Sequence, residues 1–265
     1  MPNFIDRETH EQANQKLPDI DRLTKRIACL TVDFISIKYK PESNFPIAGA
    51  CFQDASRTLA EARYALLESF AHKIWYLEKM SPPNEFAAVF FGRFYADDAA
   101  LRLYSAAEHL AKAAVYIFDI ADDKIVSNRT GSRFTTVRKI LLQEQPTHLI
   151  TSAIDELHNS NEWQDTIGYR NTWVHQQPPI VEGLGTAFTR ERRWKKSEAS
   201  KGYALGIGGG DEPEYSIDDL LGFIRPALFQ FTDKLTQISE FYIAELEKKG
   251  LTINETEMGL QTRYA

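Results

Sequence analysis

The sequence predicts an all-α protein. Apolar residues recur at steps of three and four over residues 54–80, 84–121 and 216–250, which is the period of an amphipathic helix. With 265 residues, 43% of them hydrophobic and 12% aromatic, the chain has enough material for a sizeable core. No apolar run approaches the roughly 18 residues of a membrane span, and the first residues are polar, so neither a span nor a secretion signal is expected.

The first core helix is expected over residues 54–80, where Pro82 and Pro83 follow as a stop. Residues 84–121 carry two neighbouring apolar stripes, and so wide an apolar face is typical of a central helix in a bundle. The segments expected next are a polar break at 122–133 and shorter helices at 134–143 and 147–158.

Residues 159–175 predict a further helix. Asn159 is a candidate N-cap because Glu162 stands three residues later, in the manner of a capping box. His175 is expected in the last turn. The Pro- and Gly-rich stretch 176–215 then interrupts the helical period, which predicts a loop or β-hairpin insertion before the last helix.

The last helix is expected to start at a capping box formed by Ser216 and Asp219 and to end at Gly250, with Pro226 as a candidate bend. Residues 1–50 are interpreted as an N-terminal extension of mixed pattern, and 51–265 as one helical bundle. The extension has helical spacing at Ile20, Leu23 and Ile27, and strand-like alternation at Leu30, Val32 and Phe34.

The charge balance is acidic, with 31 Lys and Arg against 37 Asp and Glu and a formal net charge of −6. A global attraction to nucleic acid is therefore absent, although a local basic cluster can still form a site. Cys29 and Cys51 are far apart and in no metal-ligand spacing, which indicates a reducing, cytoplasmic setting. The histidines also show no ligand spacing, so neither a metal nor another cofactor is expected.

The chemically distinctive feature is the run from Arg170 through Asn171 to His175. Asn171 and His175 are four residues apart, so their side chains leave the same face of a helix. Arg170 lies about 140° round the axis from His175 at 100° per residue, but its long side chain can swing toward the same opening. One ligand can therefore contact all three side chains.

These side chains suit phosphodiester chemistry, because guanidinium matches a pair of phosphate oxygens and histidine exchanges protons near neutral pH. Cleavage of RNA through its own 2′-hydroxyl needs a base, an acid and positive charge at phosphorus, but no metal. One histidine supplies half of this set. A two-fold dimer would supply the other half, since an isologous interface repeats each residue across its axis.

Arg-Asn followed by three residues and His resembles the signature of the HEPN superfamily (higher eukaryotes and prokaryotes nucleotide-binding). The resemblance covers roughly residues 54–246. It implies a four- to five-helix bundle that dimerises, metal-independent endoribonuclease activity, and a toxin or defence role with a possible antitoxin partner. Members that act as toxins beside a nucleotidyltransferase carry a tyrosine two residues after the histidine, where this sequence has Gln177.

The candidate catalytic residues are Arg170, Asn171 and His175, with Glu108 proposed to orient Arg170 from an otherwise apolar stripe. The alternative for Glu108 is an ion pair with Lys112, one turn on. The candidate RNA-binding residues form one basic run, which as an alternative is only a solvated loop. Its members are Arg190, Arg192, Arg193, Trp194, Lys195 and Lys196.

The leading hypothesis is a homodimeric, HEPN-type endoribonuclease that acts on RNA in the cytoplasm. The alternative is a non-catalytic nucleotide- or protein-binding module of the same fold, in which Arg170 and His175 form a cation pair at a helix end and serve dimer packing. A third hypothesis is a helical scaffold or toxin-like subunit that is active only with another chain.

Overall fold

A computed structural model describes residues 4–28, 30, 44–129, 131–175, 179–184, 194–196, 203–205, 213–249, 251–256 and 259–264. Helices account for most of this part of the chain, which confirms the predicted all-α class. Their bounds are α1 Arg7–Asn14, α2 Asp21–Ile27, α3 Ala48–Ile74, α4 Glu85–Ile117, α5 Asp122–Ser127, α6 Arg133–Glu144, α7 Leu149–Asn159, α8 Asn161–His175 and α9 Ile217–Lys248.

The two long helices α3 and α4 form the centre of the bundle. They run antiparallel, because Ser69 of α3 donates to the carbonyl of Gly92 near the start of α4, whereas the earlier Glu61 pairs with the later Arg102. Alanine fills much of the buried face of α4, and such small side chains let helix axes approach closely. The buried alanines of α4 are Ala88, Ala96, Ala99, Ala100, Ala106, Ala107, Ala111, Ala113 and Ala114.

Helix α9 closes the core against both long helices. It begins at the predicted capping box, in which Ser216 and Asp219 exchange hydrogen bonds between side chain and backbone. It runs through Pro226 without ending. Near its other end the buried hydroxyl of Tyr242 accepts from the backbone N–H of Gly49 at 3.1 Å and donates to the carbonyl of Phe45 at 3.2 Å. This side chain ties the start of α3 to α9.

The structure corrects two of the boundaries expected from sequence. The supposed polar break contains the short helix α5, whose first turn carries Asp122 and Asp123. Asn159 is the last residue of α7 and not the cap of α8. The adjacent Ser160 takes the capping position, where its hydroxyl accepts from the backbone N–H of Trp163 at 3.4 Å.

The N-terminal helices pack on the bundle. Leu23 and Ile27 of α2 are buried in the same hydrophobic core as α3 and α9, as is Leu30. Arg26 of α2 pairs with Glu240 of α9 at 2.5 Å. The strand-like alternation expected at Val32 and Phe34 lies outside the described residues.

Two short antiparallel hairpins accompany the helices. Strands β1 Trp194–Lys196 and β2 Tyr203–Leu205 pair within the predicted insertion, in agreement with the expected hairpin. Strands β3 Leu251–Thr256 and β4 Gly259–Tyr264 form a second hairpin after α9, which the helical period had not predicted. Among the described helices, none has the length and apolar character needed to cross a membrane.

Unfolding at mildly acidic pH is expected to be easier than at pH 7.5 because of three histidines. Burial lowers the pKa of His72, and likewise that of His148 and His158. For His72 this exceeds the opposing effect of Glu68. A folded-state pKa below the unfolded value, about 6.5, means that stability is complete above that pH and falls as the pH drops through the folded pKa.

Urea unfolding of the protein and of His72→Phe at pH 7.5 and 5.5 checks this expectation. Phenylalanine preserves the stacking of His72 on Phe91 and Tyr95 while removing the titrating group. The free energy of unfolding of the variant should therefore depend less on pH. Equal pH dependence of both proteins would contradict the assignment.

Candidate active site

Helix α8 carries the Arg-Asn-x3-His run and is held by buried aromatic side chains. Trp163 stacks on Phe231 of α9 and packs against Phe134 of α6. Nearer the motif, the buried Tyr169 donates a hydrogen bond to the Asp97 carboxylate of α4. This bond places the next residue, Arg170, beside α4.

Asp97 is itself a partly buried group with a cationic neighbour. Burial raises its pKa, while the hydrogen bond from Tyr169 and the charge of Arg93, 3.5 Å away, act in the opposite direction. Burial and the adjacent carboxylate strongly raise the pKa of Tyr169. The hydroxyl of Tyr169 therefore stays protonated at neutral pH and remains the donor of the bond that joins α8 to α4.

Arg170 lies flat against an aromatic ring of α4. Its guanidinium carbon is 3.9 Å from the centroid of the Tyr104 ring, a cation–π contact. Among the described residues its hydrogen bonds leave from Nη1, which donates to Oδ1 of Asn171 at 2.9 Å and lies 3.3 Å from Nε2 of His175. Its Nε is buried without an acceptor in the part of the chain that the structure describes. Stacking therefore fixes the position of the guanidinium. Some of its N–H groups have no acceptor among the described residues and can donate to a ligand.

His175 is the last residue of α8 and is exposed. Nη1 of Arg170 can donate to its Nε2 only in the tautomer whose proton is on Nδ1, because Nε2 must then carry a lone pair. A neutral imidazole in this orientation can accept a proton from a ligand that enters between the two side chains. The side chains of Arg170, Asn171 and His175 thus lie together, as their spacing in the sequence predicted.

The outer face of α8 is open around this group. Asn171 and His175 are exposed, and Gly168 lies on the same face, about 20° from His175 at 100° per residue. A Cβ atom added at Gly168 would meet no atom of the described residues within 4 Å. Bare backbone therefore adjoins the motif, and another molecule can approach it closely.

Glu108 does not make the expected contact with Arg170. Its carboxylate accepts from the backbone N–H groups of Arg133 at 3.2 Å and Phe134 at 3.0 Å, at the start of α6. It also forms no ion pair with Lys112, although both side chains lie within the described part of the chain. The physical reason is that the free N–H groups of a helix N-terminus attract a carboxylate.

The expected basic surface is only partly described. Arg190, Arg192 and Arg193 lie outside the described residues. Trp194, Lys195 and Lys196 form β1, and their backbones pair with Leu205, Ala204 and Tyr203. The role of this run in RNA binding remains a prediction.

Four other histidines, His10, His72, His148 and His158, have structural contacts. His10 lies 3.3 Å from the buried Glu68, and His148 caps α7 by accepting from the backbone N–H of Ile150 at 3.1 Å. The ring of His158 stacks on Phe134. Within the described ranges, no group of three or more His, Cys, Asp or Glu side chains is arranged to hold a metal ion.

Sequence reasoning missed the α4 side chains that position the motif. The candidate residues from the sequence do not include Tyr104, Arg93 or Asp97. The signal that could have found them was the polar pair Arg93 and Asp97, one turn apart and largely buried on a helix with a wide apolar face.

These contacts define a helical-bundle protein with an Arg-Asn-His group at the exposed end of one helix. The chain belongs to the HEPN superfamily, because the model of a family described as HEPN_Cthe2314-like HEPN matches residues 52–204, more than half of its length. The match runs from α3 into β2 and includes α8, but not α9. Comparison with curated proteins and with solved structures gave no significant match.

Replacing Tyr169 with phenylalanine should destabilise the fold by about 1–3 kcal/mol, because the buried Asp97 carboxylate loses a hydrogen bond. Chemical denaturation measures the change. Tyr76→Phe is the matched control, since the Tyr76 side chain stacks on His72 while its hydroxyl makes no hydrogen bond to a described residue. Equal losses in the two variants would show that the Tyr169 bond does not anchor α8.

Proposed function

We propose that this protein is a metal-independent endoribonuclease of the HEPN type, which cleaves RNA by attack of a 2′-hydroxyl. The observation that carries the proposal is the approach of Nη1 of Arg170 to Nε2 of His175, 3.3 Å apart at an exposed helix end. A phosphate that entered here would meet a fixed positive charge and a proton acceptor together. Membership of the HEPN superfamily supports a nucleotide-binding or ribonuclease-like function.

Each side chain has a defined part in the proposed reaction. His175 accepts the proton of the 2′-hydroxyl, and the 2′-oxygen attacks phosphorus. Arg170 stabilises the charge on the crowded phosphorus centre, and Asn171 positions Arg170 through the bond to its Oδ1. The bond from phosphorus to the 5′-oxygen breaks, which leaves a 2′,3′-cyclic phosphate. We assign no chemical step to Glu108, since both its oxygens hold the start of α6.

The departing 5′-oxygen also needs a proton. In the proposed homodimer a second, protonated His175 supplies it, because a two-fold axis beside α8 brings the same group from each chain to one site. One histidine then acts as the base and the other as the acid. A single chain holds one Arg170 and one His175, so the proposal requires the second copy.

An exposed aromatic stripe on α4 supports the choice of a second copy as partner. Phe86, Phe90 and Phe94 are 58%, 48% and 61% exposed, and Phe86 stacks on Phe90. At 100° per residue they lie on the same face of α4 as Asp97 and Tyr104, which contact α8. The face on which α8 packs therefore continues toward the start of α4, where no described residue covers these three side chains. Exposed apolar patches of this kind mark interaction surfaces.

His175→Ala is expected to lower RNA cleavage at least about 100-fold, because general acid–base catalysis contributes factors of this order. The assay incubates purified protein with mixed cellular RNA in excess EDTA and analyses the fragment ends. His109→Ala is the control, since His109 lies on α4 outside the motif. Cyclic phosphate ends that disappear in His175→Ala alone would support the mechanism.

Three other outcomes of this assay would contradict the proposed mechanism. Cleavage that EDTA abolishes in the unaltered protein would overturn the metal-independent mechanism. Equal cleavage by the protein and by His175→Ala would remove His175 from the reaction. Absence of cleavage across varied RNAs would favour the non-catalytic binding module, in which the Arg170 and His175 pair serves packing.

The double variant Phe90→Glu, Phe94→Glu is expected to be monomeric and to lose cleavage, because four carboxylates would meet across the proposed interface. Analytical ultracentrifugation measures the mass. Phe229→Glu, which changes a phenylalanine that is 39% exposed on α9, should leave the dimer intact. Gly168→Leu tests the approach to α8 separately, since the added side chain has free space among the described residues of one chain.

A dimer that survives both the double variant and Gly168→Leu would place the interface elsewhere.

A toxin or defence role with an antitoxin partner belongs to the same proposal and rests on the family resemblance. RNA in the cytoplasm is the proposed substrate. Expression of the protein and of His175→Ala in a test cell, with growth as the readout, distinguishes a toxic nuclease from a harmless one.

A further inference from the structure

Tyr104 belongs both to the Arg170 site and to a large cavity. The ring that stacks under the guanidinium of Arg170 also lines a cavity of about 790 Å³ between the second half of α4, α5 and the start of α6. Ser132, at the N-terminus of α6, lines the same cavity. Cavities of roughly 300–1,000 Å³ accommodate small ligands. The cavity therefore adjoins the proposed cleavage site, and Tyr104 belongs to both.

Three cations line this cavity without partners in the described part of the chain. Lys112, Arg129 and Arg133 make no ion pair and no side-chain hydrogen bond to any residue that the structure describes. Several other cations of the bundle are paired, as with Lys124 of α5 to Glu144 and Lys234 to Glu156. Three such cations that line one cavity are suited to an anionic ligand.

The rest of the wall suits a base and a ribose. Tyr116, Ile120 and Ile125 provide an aromatic and apolar surface of the kind on which nucleobases stack. Asp122, in the first turn of α5, offers a carboxylate that can accept from a ribose hydroxyl. Asp119, two residues after the end of α4, lies in the left-handed region at φ 50°, and its carboxylate accepts from the side-chain amide of Asn44 at 3.0 Å.

The first turn of α6 does not supply an anion site of its own. Glu108 already accepts from its N–H groups, so a phosphate in the cavity must bind side chains. Arg129 and Arg133, both exposed, flank that helix start in sequence. The cavity thus offers exposed cations for a phosphate and apolar side chains for a base.

We propose that this cavity holds one ribonucleotide of the RNA strand whose scissile phosphate lies at Arg170 and His175. The inference rests on the proposed function and extends it to a substrate subsite. Arg129 and Arg133 bind the phosphate of that nucleotide, the apolar wall receives its base, and Asp122 accepts from its 2′-hydroxyl. The cleavage preference of the enzyme is then set by which base this wall accepts.

The test measures binding in a protein that does not depend on cleavage. Fluorescence anisotropy follows labelled single-stranded RNA on His175→Ala in EDTA, with and without the added pair Arg129→Ala, Arg133→Ala. The pair should weaken binding at least about tenfold and lower the salt slope by about 0.7 for each phosphate that is no longer neutralised. Arg22→Ala, Lys139→Ala in the same background changes the charge equally at exposed cations outside the cavity and should bind as the parent.

Two further arms address the chemistry of the ligand. Asp122→Asn should reduce the preference for RNA over DNA of the same sequence, since the 2′-hydroxyl distinguishes the two. Free ribonucleoside monophosphates should compete with RNA in the parent and not in the Arg129 and Arg133 variant. Competition without any effect of that variant on RNA binding would identify a site for free nucleotides and overturn the strand subsite.

Failure of this inference is separable from failure of the nuclease. Loss of binding in the cavity variant, with no cleavage by the unaltered protein, would support the cavity and contradict the proposed reaction. Unchanged RNA binding in a variant whose thermal unfolding is normal would overturn the cavity while leaving the reaction intact. Equal weakening by the Arg22 and Lys139 control would reduce the effect to net charge and overturn the site.

Discussion

The arrangement of the motif depends on one partly buried hydrogen bond, from Tyr169 of α8 to Asp97 of α4. Helix α8 has 15 residues, a length that is marginal for a helix by itself in water. Its position therefore comes from tertiary contacts, and this bond is the polar one nearest to the motif. Since Tyr169 precedes Arg170, the bond also decides where the guanidinium meets Tyr104. Arg93 stabilises the arrangement by offsetting part of the cost of burying Asp97.

The helical content was predictable because a repeat of three and four residues is a local property of the chain. α3, α4, α6, α7 and α9 were found near their expected places on this basis. The elements that the sequence did not predict lack this apolar repeat of three and four residues. Helix α5 has six mostly exposed residues, and its first turn is acidic. The β3–β4 hairpin follows the end of the last apolar period.

The candidate site was predictable only for residues that lie close together in the sequence. A spacing of four residues places Asn171 and His175 on one face, and a long side chain brings Arg170 to them. The support beneath Arg170 comes from α4, far earlier in the chain, and no local pattern pairs Tyr104 with Arg170. Glu108 illustrates the same limit. Its place on an apolar stripe indicated a buried partner, but the partner is the N-terminus of α6, which forms only in the folded bundle.

Helix α9 lies beyond the end of the family match, yet Leu220, Phe231 and Leu235 are fully buried in the common core. The homologous segment is therefore not a self-sufficient folding unit in this chain. A fragment cut at residue 204 would leave the grooves of α3, α4 and α8 open to water and would be expected to aggregate. Recombinant boundaries for this protein should be drawn after the last helix, and sequence homology alone is a poor guide to them.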